Sequence, residues 1–347
     1  MLGLAVLGLL ACLTATPAAA APTAPRVGAR TAVLMDASGA VLWQRSAHRP
    51  VLIASTTKIL TALVASEAYP ADRRFRVPLA AERVDGTRFG YKTGWRIGRR
   101  QLLTTLLLVS ANDAAETLAA AYPQGGRAGF IRAMQAKADT LGCTDSTWRD
   151  PSGLEAAGHR GSAADLAILG KALLAQPELA KLVGSRSVGY RWPDGHVTVL
   201  GNHNHFVGFG RDPGALGIKT GYTVKAHSTI VAAQRRGGRT LIAVALGSDD
   251  MYDDVRSLLA YGFKVRPSPD AEVLGVRPEA ETGRATAATL PPAERFGGQV
   301  GADPASPLVE RAGRRLLAAP LPVAASTAVA LLLLGGLVVA WFRPGRR

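Results

Sequence analysis

The sequence predicts an α+β fold, with one antiparallel sheet built from both ends of the folded body and flanked by helices. Strand patterns lie at 31–35 and 40–44 and again at 228–234 and 240–246. The segments between them have the spacing of apolar residues that is typical of helices. No glycine-rich nucleotide loop follows a strand, which argues against a doubly wound parallel sheet. We therefore expect a helical subdomain inserted between the two halves of the sheet.

Each element follows from a local pattern. The first two strands are joined by Asp36-Ala37-Ser38-Gly39, a hairpin turn sequence. A helix is expected from Ser162 onward, where Asp165 completes a capping box. The remaining expected elements are helices at 59–68, 102–109, 114–122, 127–141 and 250–263, and strands at 188–192, 197–200, 228–234 and 240–246.

Composition excludes several classes of protein. Of 347 residues, 48% are hydrophobic and 19% charged, which excludes disorder over most of the length. The formal charge is +15, but basic residues are spread along the chain with no basic stripe and no nucleic-acid-binding motif. We therefore expect no nucleic-acid partner. Two cysteines, Cys12 and Cys143, exclude a disulfide scaffold and a cysteine-based zinc module.

The two ends of the chain differ from the middle. Residues 1–21 have the apolar run and small-residue region of a secretory signal peptide. Residues 323–342 are uncharged over twenty positions, enough for a helix to span a bilayer, and arginines follow in the tail 343–347. We expect a single-pass membrane protein with a cytoplasmic C-terminus and an extracytoplasmic body at 27–264. The proline-rich segment 265–322 is expected to be a disordered linker.

The chemistry begins at Ser55-Thr56-Thr57-Lys58, at a helix start. Residues three apart lie on one face of a helix, so the hydroxyl and the amine are expected within hydrogen-bonding reach. Serine is a poor nucleophile without a base, and a lysine whose pKa is lowered can serve as that base. A second cation brought near Lys58 would lower its pKa further.

Two further motifs complete the predicted site. Ser110-Ala111-Asn112 lies in a loop between two helices, and Lys219-Thr220-Gly221 precedes the strand at 228–234. A second Lys-Thr-Gly, at 92–94, leads into a turn rich in glycine and arginine, with no long apolar strand after it. We therefore expect 219–221 to be functional and 92–94 to be an ordinary loop.

In this order, the three motifs resemble those of the low-molecular-mass penicillin-binding proteins, specifically the serine-type D-alanyl-D-alanine carboxypeptidases. The resemblance covers residues 27–264. Besides the three motifs, it is carried by the wider segments Ala54–Thr61, Ser110–Ala115, Asp150–Leu154 with His159, Asn202–Asn204 and Gly217–Thr223. It implies a β-lactamase/penicillin-binding-protein-like fold. The implied function is removal of the terminal D-alanine from peptidoglycan stem peptides through an acyl-enzyme, with β-lactams as covalent inhibitors and with neither a cofactor nor a metal.

The resemblance also implies a role for each site residue. Catalysis is assigned to Ser55 as nucleophile, Lys58 as its base and Ser110 as proton relay. Substrate binding is assigned to five further residues. Asn112 positions both the substrate and Lys58. Lys219 and Thr220 hold the terminal carboxylate, and Gly221 lets the substrate lie along the strand. The N–H group of Tyr222 forms the oxyanion hole together with that of Ser55. The chain departs from the usual pattern at Ala226-His227, where relatives commonly have Ala-Gly.

Alternative functions remain open at this point. A D,D-endopeptidase is chemically close, and a non-catalytic cell-wall-binding module could keep the same fold. A β-lactamase needs an additional base, and neither Glu155 nor Glu178 lies in the expected Glu-x-x-Leu-Asn context. His203 and His205 have a spacing that zinc could use, but no supporting carboxylate or cysteine is clustered with them. We interpret His159 as a structural hydrogen-bonding residue.

Overall fold

The central sheet combines strands from both ends of the body, as the sequence predicts. The computed structural model describes residues 22–207 and 212–275. Five antiparallel strands pair in the order β2–β1–β9–β8–β7: β1 Thr31–Asp36, β2 Val41–Arg45, β7 Ala215–Thr223, β8 His227–Arg236 and β9 Arg239–Ser248. Two-stranded sheets are formed by β3 Arg74–Arg76 with β4 Arg96–Gly98, and by β5 Ser187–Arg191 with β6 Val197–Gly201.

Helices cover both faces of the five-stranded sheet. They are α1 Lys58–Ala68, α2 Leu79–Glu82, α3 Arg99–Leu108, α4 Asn112–Ala120, α5 Gly126–Thr140, α6 Ala163–Leu174, α7 Pro177–Val183 and α8 Met251–Gly262. A short 3-10 turn, Ala54–Thr57, precedes α1. The predicted cap of α6 is confirmed, since Ser162 Oγ accepts a hydrogen bond from the N–H of Asp165 at 3.0 Å.

The alternation of side chains along the central strands divides the core in two. Val231 and Ala233 of β8 belong to the larger apolar cluster, with residues of α1, α3 and α6, whereas Ile230 and Ala232 pack with α8. Successive residues of a strand point to opposite faces, so a strand buried on both faces has few polar positions. This explains the nearly continuous apolar run of β8 and β9. The outcome is a rigid sheet whose outer strand, β7, carries the third motif.

The structure corrects the prediction for that third motif. Lys219-Thr220-Gly221 does not merely precede the strand at 228–234. It lies within a strand of its own, β7, which pairs with β8 from Ala215 to Thr223. The sequence pattern missed β7 because two glycines and a lysine inside the segment lower its β propensity. The sequence also failed to predict β3, β4 and α2, which are only three or four residues long.

Several expectations fall on residues outside those described: the signal peptide at 1–21, the membrane-spanning segment at 323–342, the tail, and most of the linker. Within 22–207 and 212–275, no helix is long and apolar enough to cross a membrane. The first part of the expected linker packs on the body. Leu274 is buried, and Val273 forms a β-bridge with Ala40. The packed body therefore continues past the predicted boundary at 264 and includes Val273 and Leu274.

His48 ties this last segment to the body. Its Nδ1 lies 2.8 Å from Asp145 Oδ2, and its Nε2 lies 2.8 Å from Glu272 Oε1. Partial burial opposes the charged imidazolium, but the hydrogen bonds and charges of Asp145 and Glu272 outweigh it and raise the pKa of His48 above its usual value. The protonated ring thus bridges two carboxylates from distant parts of the chain.

We expect His48→Gln to remove a pH-dependent part of the stability. Because the pKa is raised in the folded state, this stabilisation is complete below the unfolded-state pKa of about 6.5. It is lost as pH rises through the higher folded-state pKa. Thermal unfolding at a series of pH values from about 6 to about 9 should show a shallower decline of Tm for His48→Gln than for wild type.

Gln44→Ala is the matched control, because Gln44 Nε2 also donates to Glu272, at 3.2 Å, but does not titrate. That variant should keep the wild-type slope. Equal slopes for wild type and His48→Gln would contradict the assignment.

Candidate active site

The predicted nucleophile and base meet at the start of α1. Lys58 Nζ lies 2.9 Å from Ser55 Oγ. Ser55 is partly exposed, while Lys58 has no exposed surface. The hydroxyl therefore faces the open side of the site, and the amine supports it from inside.

The surroundings of Lys58 favour its neutral form. Burial lowers the pKa of Lys58 well below its usual value, and the charge of Lys219 lowers it further. Asp150, Asp113 and Glu116 act in the opposite direction through their charges, but do not outweigh burial. An uncharged amine next to a hydroxyl is the arrangement needed for proton abstraction.

A turn at residues 150–154 supplies the second partner of Lys58. The carbonyl oxygen of Ser152 accepts a hydrogen bond from Lys58 Nζ at 2.6 Å. Asp150 Oδ1 holds the turn, because it accepts from the N–H groups of Ser152, Gly153 and Leu154 at 2.8 to 3.0 Å. Burial would raise the pKa of Asp150, but hydrogen bonds from the hydroxyl and N–H groups of Ser152 and from the N–H of Leu154, together with the charge of Arg127, lower it. The carboxylate therefore stays ionised.

His159 supports the nucleophile's turn through Thr57. The N–H of Arg149 donates to His159 Nδ1 at 3.1 Å, which leaves Nε2 to carry the proton toward Thr57 Oγ1 at 2.9 Å. Thr57 Oγ1 in turn donates to the carbonyl of Ala54 at 2.9 Å. Burial lowers the pKa of His159 to about 4, so the ring is neutral at physiological pH. This chain of hydrogen bonds agrees with the interpretation of His159 as structural.

The second motif lies at the junction of α3 and α4. Ser110 is partly exposed and has a φ of 63°, a left-handed conformation that is uncommon for residues other than glycine. Asn112 is buried, and its Nδ2 donates to the carbonyl of Asp85 at 2.7 Å. The side-chain amide thus fixes the loop at 85–87, and its donated hydrogen bond goes there rather than to Lys58.

The third motif faces the nucleophile from β7. A Cβ atom on Gly221 would lie 2.7 Å from the backbone nitrogen of Ser55, so a side chain here would clash with the nucleophile's turn. Lys219 is buried, its Nζ donates to the carbonyl of Thr220 at 2.7 Å, and burial lowers its pKa to about 7. Thr220 is partly buried, and Tyr222 is exposed on the same outer strand.

Residues that the sequence does not assign to the site form hydrogen bonds and ion pairs elsewhere. In the Lys-Thr-Gly at 92–94, both Thr93 and Lys92 bind Glu82 of α2. Glu178 pairs with Arg99, and Glu155 pairs with Lys225. Among the described residues, no group of three or more His, Cys, Asp or Glu side chains is placed to hold a metal ion.

Comparison with known proteins identifies the family. The model of the peptidase S11 family, D-alanyl-D-alanine carboxypeptidase, matches residues 18–250. The chain belongs to this family. It is 36% identical over 263 residues to a D-alanyl-D-alanine carboxypeptidase of Mycobacterium tuberculosis, covering 72% of this chain and 87% of the relative.

Solved structures agree with this assignment to the D-alanyl-D-alanine carboxypeptidase family. A crystal structure of a D-alanyl-D-alanine carboxypeptidase from M. tuberculosis has a TM-score of 0.67 and 34% identity, and the match covers 74% of this chain and 98% of that one. The Streptomyces K15 DD-transpeptidase has a TM-score of 0.65 and 25% identity, covering 70% and 100%. The penicillin-binding-protein-like α+β fold expected from the sequence is thereby confirmed for the body.

Sequence reasoning missed the supporting role of the 150–154 turn. No short pattern in the sequence indicates the contact of the Ser152 carbonyl with Lys58 Nζ. Asp150-Pro151-Ser152-Gly153 is a sequence typical of a turn, so the turn itself was predictable. Its position against α1 was not, since it depends on packing between segments about 90 residues apart.

We expect Gly153→Ala to destabilise the protein more than Gly158→Ala. Both glycines have positive φ, 89° and 75°, so each alanine costs about 1 kcal/mol in backbone strain. Only at Gly153 would the Cβ also clash, 1.9 Å from the carbonyl oxygen of Ala54, which adds roughly 1–3 kcal/mol. Gly158 has open space around it and serves as the control. Chemical denaturation should separate the two variants, and equal losses would disprove the close packing.

Proposed function

We propose that this chain is a serine D,D-carboxypeptidase that removes the terminal D-alanine from peptidoglycan stem peptides. The observation that carries the proposal is the 2.9 Å approach of Ser55 Oγ to a fully buried Lys58 Nζ. Membership of the peptidase S11 family supports both the reaction and the substrate class. β-Lactams, which resemble the acyl-D-alanyl-D-alanine end, are expected to acylate the same hydroxyl.

In the first half-reaction, Ser55 Oγ attacks the carbonyl carbon of the penultimate D-alanine and its proton passes to Lys58 Nζ. The N–H groups of Ser55 and Tyr222 stabilise the oxyanion, which is consistent with the close approach of Gly221 to the backbone nitrogen of Ser55. The bond to the terminal D-alanine then breaks, and its nitrogen receives a proton through Ser110. An ester on Ser55 and free D-alanine result.

In the second half-reaction, water attacks the ester and releases the shortened peptide, and the proton returns to Ser55. Lys219 and Thr220 hold the terminal carboxylate during the first step by charge and hydrogen bond. Asn112 orders the facing loop through Asp85, which supports its assignment to substrate positioning. A fast β-lactamase is disfavoured, because Glu155 and Glu178 are engaged in ion pairs.

The proposed setting is the outer face of a cell membrane, with residues 1–21 directing export and 323–342 as the anchor. The support is the sequence alone: an apolar run at each end, and arginines that follow the second run. Cell fractionation of the full chain tests this, since recovery of the chain in the soluble fraction would contradict it.

We expect Ser55→Ala to abolish two activities together. These are covalent labelling by a fluorescent penicillin and release of D-alanine from a peptide ending in D-Ala-D-Ala. Lys58→Ala should slow both by about 10²- to 10⁴-fold, the usual contribution of a positioned general base. Ser187→Ala, an exposed serine on β5, is the control and should keep both activities. Labelling that persists in Ser55→Ala would refute the assignment of the nucleophile.

We expect the pH profile of kcat/KM to decline above about pH 7, as Lys219 loses the proton needed to bind a carboxylate. At lower pH, activity should fall as Lys58 gains a proton. In Lys219→Arg the guanidinium stays charged, so the alkaline decline should disappear even if the absolute rate is lower. Lys92→Arg, in the other Lys-Thr-Gly, should keep the wild-type profile. An unchanged alkaline limb in Lys219→Arg would show that another group titrates there.

A further inference from the structure

The two-stranded sheet of β3 and β4 carries arginines on its outer face. Phe75 and Ile97 are buried beneath it. Side chains alternate along a strand, so Arg74, Arg76 and Arg96 lie on the opposite, exposed side. Arg76 is directly opposite Arg96 in the antiparallel register. Like charges in such a pair destabilise a sheet, so the stability of the fold does not account for them. We call these three arginines the arginine ribbon.

Carboxylates do not neutralise this surface. Between residues 73 and 100 the sequence has nine basic and two acidic residues. In the part of the chain that the structure describes, the ion pairs of this segment are those of Lys92 with Glu82 and of Arg99 with Glu178. Each member of the arginine ribbon therefore keeps its charge without a carboxylate partner among those residues.

A cavity of about 340 Å³ joins this region to the second motif of the active site. Its lining is formed by Glu82, Gly86, Arg88, Gly90, Tyr91 and Lys92. A Cβ atom on Gly86 would lie 2.8 Å from Asn112 Nδ2, so the cavity adjoins that motif. Lys92 leads into the turn at 92–94, where a Cβ atom on Gly94 would lie 3.9 Å from Arg76 Nη2. The cavity thus lies next to Asn112 on one side and next to the arginine ribbon on the other.

The cavity is cationic on balance. Of its lining side chains, those of Arg88 and Lys92 are basic and that of Glu82 is acidic. The carboxylate of Glu82 already accepts hydrogen bonds from the N–H and hydroxyl groups of Thr93, and it lies 3.4 Å from Lys92 Nζ. Arg88 Nη1 donates to the carbonyl of Glu82 at 2.7 Å, which is an uncharged acceptor. The positive charge of Arg88 is therefore available to an anion that enters the cavity.

The arginine ribbon is too far from Ser55 to bind the stem peptide that is being cleaved. The helix α1 begins three residues after Ser55 and has 11 residues, so it is about 16 Å long. Tyr69 follows its last residue, and the centroid of the Tyr69 ring lies 4.8 Å from that of Phe75, beneath the ribbon. When its two D-alanines occupy the site, the remaining three residues of a pentapeptide stem extend over about 10 Å. A ligand of the ribbon must therefore come from another part of the polymer.

We propose that the cavity and the arginine ribbon together bind the terminal carboxylates of neighbouring stem peptides on the polymeric substrate. This inference rests on the proposed function, which makes a stem-bearing polymer the substrate. Every stem ends in a carboxylate before and after trimming, so a strand with many stems is a polyanion. Guanidinium groups bind carboxylates through two parallel hydrogen bonds. Neither the cavity nor the ribbon carries an exposed large apolar side chain, which docking on a lipid surface would favour.

The test compares a single stem with many stems. Release of D-alanine by the full chain is measured on a soluble pentapeptide ending in D-Ala-D-Ala and on uncross-linked glycan strands that carry the same pentapeptide. The quantity compared is the polymer-to-peptide ratio of kcat/KM per stem, because a general loss of activity cancels in it. In wild type this ratio should exceed one. It should fall as the salt concentration rises from about 0.05 to about 0.5 M, since salt screens exposed charges.

The double variant Arg76→Gln/Arg96→Gln should lower the ratio about fivefold, the size expected for two exposed ion pairs, and Arg88→Gln should lower it about twofold. The double variant removes a like-charge pair, so its Tm should be no lower than that of wild type, and misfolding cannot explain a lower ratio.

The matched control is Arg132→Gln/Arg235→Gln. It removes the same charge from two exposed arginines, in α5 and β8, that form no ion pair within the described residues. This control should keep the wild-type ratio. A wild-type ratio in Arg76→Gln/Arg96→Gln would overturn the proposal. An equal loss in the control would overturn it too, because net charge alone would then explain the effect.

Activity on the isolated pentapeptide keeps this inference separate from the proposed function. If wild type releases D-alanine from the peptide but the ratio is unchanged in the ribbon variant, only this inference fails. If wild type is neither labelled by penicillin nor active on peptide or polymer, the proposed function itself fails. Binding of inorganic polyphosphate is measured in the same variants. Its loss in the ribbon variant at an unchanged ratio would assign the surface to a phosphate polymer and overturn the proposal.

Discussion

The site depends on keeping one amine uncharged inside the protein. A buried ammonium group is costly unless it is paired, and the direct partners of Lys58 are a hydroxyl and a carbonyl rather than a carboxylate. The carboxylate of Asp150 lies one step further out, where it orders the turn that presents the Ser152 carbonyl. Its charge is shared with Arg127, which limits its pull on the Lys58 proton. The amine of Lys58 is thus neutral because its direct partners are uncharged and the nearby carboxylate is paired with another cation.

The antiparallel sheet makes this arrangement possible. Because β1 and β9 pair at its centre, β7 is left as an outer strand whose open edge faces the start of α1. A central strand would have its hydrogen-bonding groups occupied on both sides and could not present N–H groups to a substrate. The lack of a side chain at Gly221 then lets this strand approach Ser55 closely. Lys219 lies on this strand, and its charge lowers the pKa of Lys58.

Local patterns in the sequence predicted those features of the structure that depend on a few neighbouring residues. The Ser55–Lys58 spacing, the α6 cap at Ser162 and the apolar runs of β8 and β9 each depend on a few neighbouring residues, and all appear in the structure. The β7 strand did not show in the pattern, because its stability comes from pairing with β8 rather than from its own composition. The same holds for Ser152 and Lys58, which are 94 residues apart. Contacts of this kind are decided by packing, and no single segment encodes them.

In the turn between β7 and β8, packing compensates for an unfavourable backbone conformation at one residue. His227 has a φ of 57°, a conformation that costs a residue with a side chain about 1 kcal/mol. Thr223 Oγ1 accepts the N–H of Ala226 at 3.1 Å and donates to Glu155 at a similar distance. The histidine ring lies 3.3 Å from Asp249, at the end of β9. The turn is therefore held on both sides, so an unfavourable backbone at His227 leaves the register of β7, and with it the position of Lys219, intact.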